Sequence, residues 1–142
     1  MSMLTAALTA SASALNAELV RIEAATSNLA NANSTRGPDG QPYRRRDVML
    51  ASEPVSSFDA SLKDAQALGV KVSGVVEDQS PFRRRYEPSH PDADEEGYIA
   101  LPNVDSAEAM IDLMGAARAY QANLAAVGMV RDVLQSALEL GK

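Results

Sequence analysis

The chain has 142 residues, a formal charge of −6 and no cysteine, and 46% of its residues are apolar. That length fits one ordinary domain and argues against an enzyme with a separate cofactor module. The missing cysteines exclude disulfide staples, thiolate metal sites and a cysteine nucleophile, and the acidity opposes nucleic-acid binding through phosphate contacts.

The first predicted element is a helix within residues 1–35. Leu8, Ala12, Leu15, Leu19, Ile22, Thr26 and Leu29 recur at alternating steps of four and three, with Ser2 available as the cap. This spacing keeps one stripe facing a partner along a supercoiled pair. At 1.5 Å per residue the helix extends about 45 Å. Asn31 and Asn33, which tolerate the left-handed conformation, and then Gly37, Pro38 and Gly40 end it. The start of the chain has no basic segment and is interrupted by Ser and Thr, so a cleaved Sec-type leader is not expected. No stretch approaches the roughly 20 apolar residues of a membrane span.

Residues 36–104 change character. They hold most of the prolines and charges, and their short apolar runs alternate in the manner of strands. Tyr43 to Ala51 and Gly69 to Asp78 are the predicted longer strands. An acidic loop, Pro88 to Gly97, separates a third segment, Phe82 to Tyr86, from a fourth, Tyr98 to Leu101. Ser56 to Leu68 fits either a loop or a short helix. A piece of roughly 60 residues is marginal as a free-standing domain.

Residues 105–142 form the second predicted helix. Asp105 and Glu108 have the spacing of a capping box. The seam reads Met110, Leu113, Ala117, Tyr120, Leu124, Val127, Arg131, Leu134 and Leu138, with Val130 beside the break at Arg131 and Gly141 at the end. The predicted fold is therefore mainly α with a small β-rich insertion, its N- and C-terminal helices paired as a coiled coil.

Alanine supplies 25 of the 65 apolar residues, and only six side chains are aromatic. Alanine favours helix but buries little area, so this composition suits long helices packed closely against something rather than a thick core. From Ala119 to Val130 the second helix offers apolar or small residues on nearly every side. Such a helix must be covered on more than one face, which a single antiparallel partner cannot do. The expected assembly interface comprises Leu8, Leu15, Leu19, Ile22, Leu29, Met110, Leu113, Ala117, Tyr120, Leu124, Val127, Leu134 and Leu138.

Candidate chemistry is sparse. Asp92, Asp94, Glu96 and Gly97 resemble the start of a calcium loop, but the twelfth position is Asn103 where a bidentate Glu is needed, and Pro91 opens the loop. His90, the only histidine, has acidic neighbours but no positioned nucleophile and is read as a loop residue making a local hydrogen bond. The triplets Arg44 to Arg46 and Arg83 to Arg85 would alternate between faces of a strand, so they are expected to pair with nearby carboxylates rather than form a basic stripe. Asn33-Ser34-Thr35 is a formal glycosylation sequon with nothing to place it in a eukaryotic secretory route. No phosphate-binding, nucleophile-elbow or zinc-protease motif occurs. Neither an active site nor a cofactor is expected.

Several motifs carry a family resemblance. Ser13-Ala14-Leu15-Asn16-Ala17 and Asn28-Leu29-Ala30-Asn31-Ala32-Asn33-Ser34-Thr35 resemble the N-terminal signature of flagellar rod, hook and hook-associated proteins. Arg118-Ala119-Tyr120-Gln121-Ala122-Asn123 is similar to their C-terminal signature. Pro42-Tyr43-Arg44-Arg45, the stretch Tyr86 to Asp94 with Gly97-Tyr98, and Pro102-Asn103-Val104 resemble the proximal rod members. Thr26-Ser27 departs from the pattern.

The resemblance implies a non-enzymatic rod subunit in the flagellar basal body, crossing the periplasm and transmitting torque. It implies export by the flagellar type III apparatus without signal cleavage, and helical assembly with copies of itself and with the rod proteins FlgB, FlgF, FlgG and FliE. Tyr86, His90, Asp92, Asp94 and Tyr98 would lie on an outer contact loop, and Asn16, Asn28, Asn31 and Asn123 would bond within or between helices. The alternative is another type III-secreted coiled-coil filament or effector protein outside the rod.

Overall fold

The computed structural model describes residues 2–37, 39–54 and 68–140. Two long helices bracket four strands: α1 (Ser2–Asn31), β1 (Arg46–Pro54), β2 (Leu68–Glu77), β3 (Arg83–Tyr86), β4 (Tyr98–Leu101) and α2 (Ser106–Leu140). β1 pairs with β2 and β3 with β4, each as a two-stranded sheet. The chain is thus mainly helical with a small strand insertion. Most of the Ser56–Leu68 segment, left open between loop and helix, and Gly141 lie outside the described residues.

The chain forms two compact units. One comprises Met1–Val20, Met49–Gly74 and Gly115–Lys142, the other Arg21–Val48 and Val75–Met114. In the first, β2 begins against α1: the Ser13 hydroxyl donates to the Ala10 carbonyl at 2.8 Å and accepts the Val70 N–H at 3.0 Å. In the second, Ala32, just past the end of α1, Val104, and Ala109 of α2 form a buried cluster flanked by Leu29 and Tyr43. The methyl side chains of Ala32 and Ala109 suit this close packing.

Local chemistry explains most element ends. β1 starts at Arg46, later than the expected Tyr43, because the preceding residues are committed elsewhere. Arg45 N–H donates to Asn103 Oδ1 at 2.9 Å, and the Arg44 guanidinium stacks 4.4 Å from the Phe82 ring centroid. Asp105 caps α2, its Oδ1 accepting the Ala107 N–H at 2.7 Å and the Glu108 N–H at 3.3 Å. Glu108 does not complete a capping box; its carboxylate pairs with Arg45 at 2.8 Å. Nor does α1 end in a left-handed Asn: among the described residues only Gly40 and Gly97 have positive φ. Asn31 instead donates its side-chain amide to the Ser27 carbonyl at 2.8 Å, while its own carbonyl accepts the Ser34 N–H at 3.0 Å.

Candidate assembly surfaces

Both helices place their covered stripe one residue away from half of the expected seam. On α1, Leu8, Leu15, Ile22 and Leu29 are half-buried as one row of a heptad should be, but Ala12, Leu19 and Thr26 are exposed. The second row is Ser11, Glu18 and Ala25, continued just past the helix end by Ala32, the two alanines buried. On α2, Leu113, Tyr120, Val127 and Leu134 are half-buried, and Ala109, Ala116, Asn123 and Val130 form the other row. Ala117 is half-buried, while Met110, Leu124, Arg131 and Leu138 are exposed. At Ala25 and Ala109 a methyl group fills the covered position, and the larger residues one step on, Thr26 and Met110, are exposed.

What remains exposed therefore includes large apolar side chains. Leu124 is 53% and Leu138 70% accessible, and Ile111, Met114, Met129 and Val133 are also exposed on α2. Among the described residues, every buried apolar side chain on the two helices is an alanine.

Around the end of α1, polar side chains replace missing strand partners. Asn28, only 5% accessible, donates its side-chain amide to the Arg46 carbonyl at 2.9 Å and accepts the Arg46 N–H at 2.9 Å. The Tyr43 hydroxyl lies 3.0 Å from Asn28 Oδ1 and 3.1 Å from Ser27 Oγ. One residue earlier, Asn103 accepts the Arg45 N–H and donates to the Asp78 carbonyl at 3.0 Å, while Asp78 N–H reaches the Arg45 carbonyl at 2.8 Å. Asn28, expected to bond within or between helices, thus bonds to the backbone leading into the strands. Asn31 and Asn123 do bond within their own helices, each to the carbonyl four residues back. The Arg45 side chain is clamped by Glu108, Asp47 at 3.0 Å and Asp112 at 3.5 Å. Chiefly through Glu108, this holds its guanidinium protonated even more firmly than usual.

The acidic loop is a built hairpin end. β3 and β4 are antiparallel with Arg84 opposite Ala100 and Tyr86 opposite Tyr98. The two tyrosine rings meet edge to face at 5.2 Å, and the Arg84 guanidinium lies 4.7 Å from the Tyr98 centroid. Asp94 Oδ1 accepts the N–H groups of Glu96 at 3.0 Å and Tyr98 at 2.8 Å, and its Oδ2 pairs with Arg84 at 2.7 Å. The Tyr98 N–H first and Arg84 second hold the Asp94 carboxyl below the usual aspartate range. Asp92 accepts the Thr35 hydroxyl at 2.7 Å and pairs with Arg36 at 3.2 Å. His90 Nδ1 accepts the Asp92 N–H at 3.1 Å. The calcium-loop spacing therefore serves turn closure and ion pairing. Among the described residues, no group of three His, Asp or Glu side chains is placed to hold a metal, and no helix is long and apolar enough to cross a membrane.

The same segments carry the similarity to known proteins. Residues 8–38, which include Ser13 and Asn28, match the family described as flagella basal body rod protein. Residues 95–140, from the end of the hairpin through α2, match the family described as flagellar basal body rod FlgEFG protein C-terminal. The flagellar basal-body rod protein FlgC of Salmonella typhimurium is 44% identical over 131 residues, or 92% of each chain. The chain belongs to the FlgC family. The FlgC of Bacillus subtilis is 43% identical over 145 residues, spanning 95% of this chain and 96% of its own, and that of Aquifex aeolicus is 35% identical over 136 residues and 96% of both. FlgC relatives of this coverage include the β3–β4 hairpin that neither family segment spans in full. The matched families are structural rod families, with no catalytic family among them.

Proposed function

We propose that this chain, a structural subunit of the flagellar basal-body rod, builds the proximal part of that rod by helical assembly and so forms part of the axle that transmits motor torque. In the rod the terminal helices pair as a coiled coil, and neighbouring copies cover the apolar side chains that the single chain leaves in water, Leu19, Met110, Leu124 and Leu138 among them. The half-buried row, Leu8, Leu15, Ile22, Leu29, Leu113, Ala117, Tyr120, Val127 and Leu134, belongs to the same interface. Heterologous contacts that do not close on themselves generate a filament, and many small-residue contacts make it stiff.

The observation that carries this reading is the division of side chains on α2, with alanines in the buried positions and exposed Leu, Ile, Met and Val on the remaining surface. In the same picture the loop from Tyr86 to Tyr98 lies outside the helical layer and contacts neighbours, which include FlgB, FlgF, FlgG and FliE. The subunit reaches its place in the periplasmic rod through the flagellar type III apparatus, without signal cleavage.

Leu124→Asp tests the reading. Leu124 is exposed in the single chain, so the isolated variant should fold with its stability changed by about 0.5 kcal/mol or less. In the assembled rod the same carboxylate would be buried unpaired, at a cost of several kcal/mol. Cells carrying it should express the protein and not swim; normal swimming overturns the assembly reading.

A further inference from the structure

We propose that the outer edge of β3 accepts an extended, acidic segment of another chain, which joins the β3–β4 sheet as a third strand. The proposal rests on the reading of this hairpin as a contact surface and adds the chemistry of what it contacts.

The hydrogen-bond phase fixes which groups face outward. Glu87 N–H donates to the Gly97 carbonyl at 2.9 Å, so Glu87, Arg85 and Arg83 turn their backbone groups toward β4. Arg84 and Tyr86 then turn their N–H and C=O groups away from it. On the opposite edge the corresponding groups of Tyr98 are closed by one residue: its N–H donates to Asp94 Oδ1 and its carbonyl accepts the Asp94 N–H, both at 2.8 Å. Nothing equivalent closes β3 among the described residues. Its sheet has only two strands, and all four of its residues are exposed. An open edge of this kind is a template for strand addition.

Charge selects the occupant. Arg83, Arg84 and Arg85 are consecutive, so a second copy of β3 laid on this edge would set like charges opposite one another, which is destabilising. An acidic strand meets a guanidinium on either face. The ion pairs now holding Arg84 and Arg85 are exposed and exchangeable: Arg84 to Asp94 and Glu96, with 56% of the Arg84 side chain accessible, and Arg85 to Glu87, with 52% accessible. Tyr86, 62% accessible, adds an aromatic surface beside the incoming strand. Pro81 and Pro88 bound the edge and limit the added strand to a short segment.

The test uses the full chain at dilute concentration and a capped peptide of alternating glutamate and threonine, with a lysine-for-glutamate peptide as comparison. The acidic peptide should bind and slow amide exchange at Arg84 and Tyr86, leaving Arg85 and Glu87 unchanged, while the lysine peptide should not bind. Arg85→Glu should weaken binding about fivefold at low salt, with less effect at high salt. Absence of binding, equal binding of the lysine peptide, or binding without protection at Arg84 and Tyr86 overturns the proposal. The exchange measurement uses the unsubstituted chain, so it stands even if the variant folds poorly. Failure here would leave the rod reading to its own swimming test, and normal swimming of the Leu124→Asp strain would leave the peptide result intact.

Discussion

Asn28 holds Arg46 as a neighbouring strand would, giving and taking one hydrogen bond at 2.9 Å each from a buried position on α1. A side-chain amide carries a donor and an acceptor spaced to satisfy both backbone groups of one residue. Asn28→Leu should leave both Arg46 groups short of partners and the Tyr43 hydroxyl with Ser27 alone, and destabilise the isolated chain by about 2–3 kcal/mol. Chemical denaturation followed by circular dichroism measures this, and an unchanged midpoint would show that water replaces the amide at no cost.

Gly97 is required by two constraints at once, and Gly40 by one. Gly97 has φ +82°, and a Cβ there would sit 2.9 Å from Tyr86 Cε2 and 3.1 Å from Pro88 Cβ; Gly40 has φ +79° with nothing within 4 Å. Gly40→Ala should cost about 1 kcal/mol from the backbone conformation alone. Gly97→Ala should cost roughly 1–2 kcal/mol more and separate the Tyr86–Tyr98 ring pair. Equal denaturation midpoints for the two variants would contradict the steric part of this account.

Arg45 joins the approach to β1 to the first two turns of α2 through Glu108 and Asp112. Lysine keeps the charge but not the planar fork, so Arg45→Lys should lower stability by about 1 kcal/mol. Arg45→Met, which leaves three neighbouring carboxylates without a cation, should be worse. Because these carboxylates are about half exposed, the gap between the variants should narrow in molar salt. Thermal unfolding at low and high ionic strength reads both effects.

Acid, and not a change near neutral pH, should loosen the β3–β4 hairpin. Backbone N–H donors hold three carboxyls below the aspartate range: Ser80 for Asp78, Tyr98 for Asp94 and Ala107 for Asp105. A depressed native value means that the unfolded chain binds the proton more tightly. The stabilisation is therefore fully present above the ordinary aspartate value of about 4 and is lost as the pH falls from there through the depressed values. Asp94→Asn should flatten the hairpin's share of this transition while leaving that of Asp105 in place. Amide spectra recorded from pH 7 down to pH 2 check it, with identical acid profiles for the hairpin signals of the two proteins as the contrary result.

The elements were legible in the sequence because each has a periodic or capping signal of its own. β4 spans Tyr98 to Leu101 as expected, and α2 starts after Asp105. The helix stripes were legible only in part. Periodicity marks Leu15 and Leu113, which are half-buried, but on apolarity it ranks Met110 above Ala109, where the methyl side chain is the buried one. Asn28 and Asn103 stood out as motif residues, yet their roles did not, because the groups they satisfy belong to Arg46, Arg45 and Asp78, far away in the chain. The Asp-x-Asp-x-Glu-Gly spacing resembled a metal loop for a physical reason: both uses place carboxylate oxygens over a tight turn, and here the N–H groups of Glu96 and Tyr98 take the place of a cation.

The alanine rows set how the molecule responds to dilution. Methyl groups stabilise little when covered, so most of the free energy available to these helices resides in the larger side chains that a lone chain leaves in water. If copies cover those side chains as proposed, mass action governs how tightly the helices are held: their melting temperature should rise with protein concentration, and a chain parted from its neighbours should become the softest form of the protein.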